Sequence, residues 1–255
     1  GDPRDVRLVD WGDGLQFAAI GVLPERRLLL EGVYGFLTLK NGVPIGYVLA
    51  SALYGSSEIA YNVFETWRGM EAAAIYARVI AMTRWLFGSD TFTIYPYQLG
   101  GAGNSEGLKS GAWWFYYKLG FRPRAARVKR LAARERARMK RRPAHRSSLA
   151  TLRKLAEENV YFQPFGERDD VIGLLPLANV GLAATDFLAR HFGADRALAA
   201  RGCEEAAATV LGVRTMRGWS AGERMAWSRW APTVGLLPGL ARWSRAEKRA
   251  LVETI

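Results

Sequence analysis

The strongest constraint on how this chain folds lies between Val33 and Phe87, where the hydrophobic period changes from two to three or four. Val33 to Lys40 is rich in aromatic and branched residues, Asn41-Gly42 is a hairpin signal, and Ile45 to Leu53 continues in kind as far as the turn at Gly55-Ser56-Ser57. Glu58 to Phe64 follows as a third strand of an antiparallel meander. From Met70 to Phe87 the apolar positions Ile75, Val79, Met82 and Leu86 recur at helical spacing, and Gly88 stops the helix. Thr91 to Tyr97 alternates again, with Pro96 marking a strand end or an edge. Upstream, Val6 to Val9 and Leu15 to Val22 supply one or two further strands.

Downstream, Gly100-Gly101-Ala102-Gly103-Asn104 forms a glycine-rich loop, and Leu108 to Leu119 reads as one helix that Gly120 ends. The loop lacks the Gly-Lys-Ser/Thr ending of a nucleotide-phosphate loop. A helix is expected from Ala125 to Arg142, stopped by Pro143, and another starts at Ser148 as N-cap. Asn159 to Phe165 has the composition of a short strand returning to the sheet. Beyond residue 167 the pattern is helical: Ala178 to Phe192, Asp195 to Leu211, Ala221 to Trp230 and Ser244 to Thr254. Trp219, Trp227, Trp230 and Trp243 are expected to serve as core of this part.

Composition removes several classes of function. The single Cys203 excludes an internal disulfide framework and, with only His145 and His191 beside it, leaves little material for a metal site or a Ser-His-Asp triad. No metal is expected, and a reducing, cytoplasmic setting fits. The longest uncharged stretches are broken by Gly42, Pro44, Pro176 and Asn179, too short to span a bilayer. Gly1-Asp2-Pro3-Arg4 lacks an initiator Met and the layout of a signal peptide, so an amino-terminal region is expected to precede it. The net charge of +12 is local: Arg122 to Lys154 holds 14 of the 36 Lys and Arg but one acid, Glu135. Such a run is a solvated helix face or an anion-binding surface for nucleic acid or ribosomal RNA.

Two local patterns carry a resemblance. Ala112-Trp113-Trp114-Phe115-Tyr116-Tyr117-Lys118-Leu119-Gly120-Phe121 matches a helix-and-exit pattern of Ala, two variable residues, an apolar residue, Tyr, one variable residue, Lys, one variable residue and Gly-Phe. Arg68-Gly69-Met70-Glu71-Ala72-Ala73, at a junction of strand and helix, matches Arg or Gln, two variable residues, Gly, one variable residue, and Gly or Ala. Together with the element order over about residues 34–125, these patterns resemble the GNAT superfamily of acyl-CoA-dependent N-acyltransferases.

The resemblance implies an α+β fold: a GNAT-like mixed, mainly antiparallel sheet flanked by helices over residues 1–125, completed by a strand near 160–165. A basic helical connector over 126–166 and a mostly α-helical domain over 167–255 would follow. It implies acetyl-CoA or another acyl-CoA as co-substrate and an amine as acceptor. Tyr116 would protonate the departing thiolate, and a phenol with an ordinary pKa of about 10 is neutral enough to do so. Glu58 and Glu65, at either end of the strand before the Arg-Gly turn, are the candidate bases. Arg68, Gly69, Ala72, Ala73 and Asn104 would hold the cofactor, because small residues at a helix start expose N–H groups to a diphosphate.

The chain departs from the family pattern in three places. Glu71 occupies the middle glycine position in one register, or the last small position if Gly69 is the middle glycine and Thr66 the leading residue. Only some 33 residues precede Tyr34, too few for the two helices that help form the family's acceptor site. Lys109 stands where an Asn is common. These departures motivate an alternative: a catalytically silent scaffold that binds a protein or nucleic-acid partner, with RNA, DNA or ribosome contact through residues 122–154.

Overall fold

In the computed structural model, which describes residues 1–67, 69 and 71–255, Asn41 and Gly42 both take positive φ, 51° and 78°. A two-residue turn of this hand matches the twist of the strands it joins. Those strands are β3 (Gly32–Lys40) and β4 (Val43–Leu53), and β2 (Leu15–Gly21), β1 (Val6–Asp10) and β5 (Ser56–Val63) extend the antiparallel sheet on either side. Helix α1 (Ala72–Phe87) then carries the chain over the sheet to β6 (Thr91–Ile94), which pairs parallel to β5 as a helical crossover requires. With β7 (Arg122–Pro123) and β8 (Val160–Phe162) beyond it, the complete order is β1-β2-β3-β4-β5-β6-β8-β7.

The core follows from the two periods. Phe17, Phe36, Val48, Ala50 and Ile59 on one face of the sheet join Ile75, Tyr76, Val79 and Met82 of α1 in one buried cluster. The single helix expected over Leu108 to Leu119 is two. Gly111 takes φ 70° and divides α2 (Ser105–Ser110) from α3 (Ala112–Lys118), because a left-handed residue cannot continue a right-handed helix. Next come β7 (Arg122–Pro123), α4 (Ala126–Arg141), α5 (Leu149–Leu155) and β8 (Val160–Phe162), the last inserted between β6 and β7. Residues 126–166 therefore lie inside the first of two compact units, Gly1–Leu175 and Pro176–Ile255.

Within α4 the buried positions are Val128, Ala132 and Glu135. Burial alone would raise the Glu135 carboxyl, but hydrogen bonds from Ser147 (2.7 Å), His145 (3.1 Å) and Arg138 (2.8 Å) outweigh it and hold the pKa below its usual value. The one acid of the basic segment thus ties the turn after α4 to the helix.

The second unit consists of α6 (Leu177–Phe192), α7 (Arg196–Leu211), α8 (Ala221–Val234) and α9 (Arg245–Thr254). Asp195 caps α7, and Ser220 with Glu223 and Ser244 with Glu247 form reciprocal capping boxes. Cys203, Ala207, Leu211, Trp227, Ala231 and Val234 make its core, with Trp219 edge-on to Trp227 at 5.5 Å. Among the described residues no helix is long and apolar enough to cross a membrane.

Candidate functional site

β5 and β6 lie side by side for three residue pairs only: Ser56 with Thr91, Ser57 with Phe92 and Glu58 with Thr93. β5 runs on to Val63, whereas β6 ends at Ile94 and the chain turns off through Pro96. Ile59 to Asn62 consequently have a strand partner on the β4 side alone. Every strand residue carries one N–H and one C=O, so the divergence leaves a row of backbone donors and acceptors along a split in an otherwise continuous sheet.

Alternation along β5 sends neighbouring side chains to opposite faces. Glu58 faces away from α1. Its cross-strand partner is Ser51, whose hydroxyl donates to Oε2 of Glu31 at 2.7 Å, so a second carboxylate stands close by. Burial, and then the charge of Glu31, push the Glu58 carboxyl up to about 7. A carboxyl at that value is part ionised at neutral pH and can take a proton from an ammonium or amine. Tyr95, which follows β6, completes this group; burial first, and then Glu58 and Glu31, raise its phenol to about 12, so it stays protonated and able to donate.

On the other face Ile59 is fully buried and Tyr61 packs on Tyr76 of α1, ring centroids 5.3 Å apart. Tyr76 in turn packs edge-on to Tyr116 of α3 at 5.4 Å and to Phe115 at 5.9 Å. Burial raises all three phenols; Tyr76 also feels Tyr116 and Tyr61, and Tyr116 feels Tyr61. The hydroxyls of Tyr61 and Tyr76 have no hydrogen-bond partner. An unpaired buried polar group costs about 1–3 kcal/mol, so this corner of the core holds two donors whose demand the fold leaves unmet. Tyr116 itself is 3% exposed. Trp113 and Trp114 are engaged elsewhere: Trp113 stacks on Tyr117 at 5.1 Å, and Trp114 donates to Ser147 at 3.2 Å.

Glu71, the residue before α1, has φ 52°, and its carboxylate is 3.3 Å from Lys40. Alone, a carboxylate 4 Å from a phosphate would cost roughly 4 kcal/mol at an effective dielectric near 20. With Lys40 beside it the pair is neutral, and the first-turn N–H groups of Ala72 and Ala73 have no side-chain cap. Gly69 has φ 96° and open space around it. Arg68 lies outside the described residues. Glu65 sits in an exposed 3-10 turn, Glu65–Trp67.

Asn104 has a task in the fold. Its Oδ1 accepts from Gly107 N at 2.9 Å and its Nδ2 donates to Tyr97 O at 2.8 Å, so the amide caps α2 and pins the loop. The adjacent glycines serve packing: a Cβ on Gly101 would lie 2.3 Å from Ala156 O. Gly101 thus lets the loop close on the end of α5, and Gly100, whose Cβ would lie 2.5 Å from Leu108 N, lets it close on α2.

Sequence reasoning singled out Glu58 and Tyr116 but missed Glu31, Ser51, Tyr95, Tyr61 and Tyr76. Period two along β5 would have placed Tyr61 opposite to Glu58. No local signal links Glu31 or Tyr95 to the same spot, because β3 to β4 and β5 to β6 proximity is set by the sheet. Comparison with protein-family models, with curated proteins and with solved structures gives no match, so the chemistry of the site has to be read from its own residues.

Proposed function

We propose that the chain is a GNAT-like N-acyltransferase that moves an acetyl or longer acyl group from CoA to an amine. The observation that carries this proposal is the split between β5 and β6 with Glu58 at its apex. Strand order supports it too: a meander, a helix, a parallel strand and a Tyr-bearing helix succeed one another as the family resemblance requires.

The residues fit an acyl-CoA thioester. The unpaired edge Ile59 to Asn62 suits the amides of a pantetheine arm, and the uncapped start of α1, with Glu71 neutralised by Lys40, suits a diphosphate. The thioester supplies an acyl carbon that an amine can attack with loss of a thiol. Glu58 takes the proton that the amine sheds as its N–C bond forms, directly or through a water. Tyr116 gives its phenolic proton to the sulfur as the C–S bond breaks. The two act from opposite faces of β5, and only the split lets them reach one ligand.

A second reading has its own observation. Tyr61, Tyr76, Tyr116 and Phe115 fill the helix-side wall of the split, as a silent scaffold would. Titration with acetyl-CoA, followed by thermal unfolding, separates the two. Ligand at 100 times its dissociation constant adds about 2.7 kcal/mol and should raise the midpoint by several degrees. No saturable shift at millimolar acetyl-CoA would favour the scaffold.

A further inference from the structure

Helix α4 sorts its residues by face with unusual strictness. Plotted at 100° per residue, Val128, Leu131, Ala132, Glu135 and Met139 form the stripe turned to the protein, and all are buried or half-buried. The centre of the opposite face is a lane of small residues, Ala126, Ala133 and Ala137, all exposed. Cations flank this lane on both sides: Lys129 and Lys140 along one, Arg130, Arg134 and Arg141 along the other, every one exposed. Among the described residues none of these five has a carboxylate partner. By contrast, the other arginines of the helix have tasks in the fold: Arg127 pairs with Glu157 and Glu158, Arg138 with Glu135, and Arg136 reaches the Tyr117 hydroxyl at 3.3 Å.

Two rows of cations along one helix repel one another, at i,i+4 spacing between Arg130 and Arg134 in particular, and no acid on that face relieves them. A polyanion would. Its shape is set by the lane. A helix 10–12 Å across fits the major groove of B-form DNA, about 12 Å wide, whose walls are two rows of phosphates. With α4 in the groove, the alanine lane meets the base edges and no long side chain lifts the helix from the groove floor. The two cation rows meet the phosphates of the two strands.

We propose that the exposed face of α4 binds duplex DNA by lying in its major groove, with Lys129, Lys140, Arg130, Arg134 and Arg141 on phosphates and the alanine lane toward the bases. The interaction is mainly electrostatic and weakly sequence-selective, since methyl groups in the lane offer contact to thymine methyls but no hydrogen bonds. It stands independently of acyl transfer.

The test is fluorescence anisotropy of the full chain with a labelled B-form duplex of about two helical turns, across a salt series. Five phosphate contacts give a log-log slope of about −4.5, a loss of about 500-fold in affinity between 50 and 200 mM salt. Lys129→Gln with Arg134→Gln should flatten the slope by about 1.8. Ala137→Trp and, separately, Ala133→Trp keep every charge and alter only an exposed position, yet should weaken binding at least tenfold by keeping the helix out of the groove. Circular dichroism checks that both remain helical. Failure to bind at 50 mM salt overturns the proposal. So does unchanged affinity of the two Trp variants, or equal affinity for heparin or for an A-form RNA duplex, whose major groove is too narrow to admit the helix.

Discussion

The two faces of β5 differ as much as any two regions of the molecule, although their residues are neighbours in sequence. Ile59 and Tyr61 point into a dry aromatic core where two tyrosine hydroxyls lack partners. Glu58 points to the opposite face, beside Glu31 and Tyr95, where its carboxyl sits near 7. A core face accumulates unmet hydrogen-bond demand, while a half-buried face accumulates a group poised to ionise. The proposed function needs one ligand to meet both where β5 and β6 part.

The largest expected effect breaks the open face. Glu58→Gln should lower amine-dependent thiol release from acetyl-CoA by about 10²- to 10⁴-fold. The wild-type rate should climb with pH through about 7 and then level, while the Gln variant stays flat over that range. Tyr116→Phe tests the core face and should slow turnover by a smaller factor, about 10- to 100-fold, since water can protonate part of the departing thiolate; unchanged turnover removes its assigned role.

Stability sharpens the same contrast. Ile59→Ala should cost about 2–5 kcal/mol in urea unfolding, whereas Ala60→Ser, one residue along on the open face, should stay within about 0.5 kcal/mol. Glu58 has a folded pKa raised above its unfolded value, so the folded state holds the proton more tightly. Stability therefore falls as pH rises from the unfolded pKa, 4.5, to about 7, and the penalty is complete above that. Glu58→Gln should remove it. Discounted for the solvent that reaches this carboxyl, the gain at alkaline pH is about 1–2 kcal/mol, vanishing below about pH 4. The smallest effect is Tyr76→Phe, which deletes an unpartnered hydroxyl and should stabilise by about 1 kcal/mol; a loss of that size would show that the hydroxyl has a partner in solution.

Much of the fold was legible because its signals are local. Asn41-Gly42 fixes the central hairpin, Gly88 stops α1, and Ser148, Asp195 and Ser244 cap helices where their side chains predict. The break at Gly111 was hidden inside an uninterrupted apolar run, and β7 is a two-residue strand with no pattern of its own. The site was half legible. Glu58 and Tyr116 stood out by motif and position, but nothing local says that β5 and β6 share only three pairs, or that Glu31 would raise a carboxyl on another strand. At Asn104 the amide caps α2, and a capping amide and a binding amide have the same sequence signature.

Amide hydrogen exchange with and without acetyl-CoA tests the central claim most directly, because it reports where the ligand lies. Bound acetyl-CoA should slow exchange along β5 from Ile59 to Asn62 and in the first turn of α1 at Ala72 and Ala73. Protection absent from both, or confined to the apolar cavity of about 380 Å³ that Phe187, Cys203, Val210 and Leu237 line in the second unit, would contradict it.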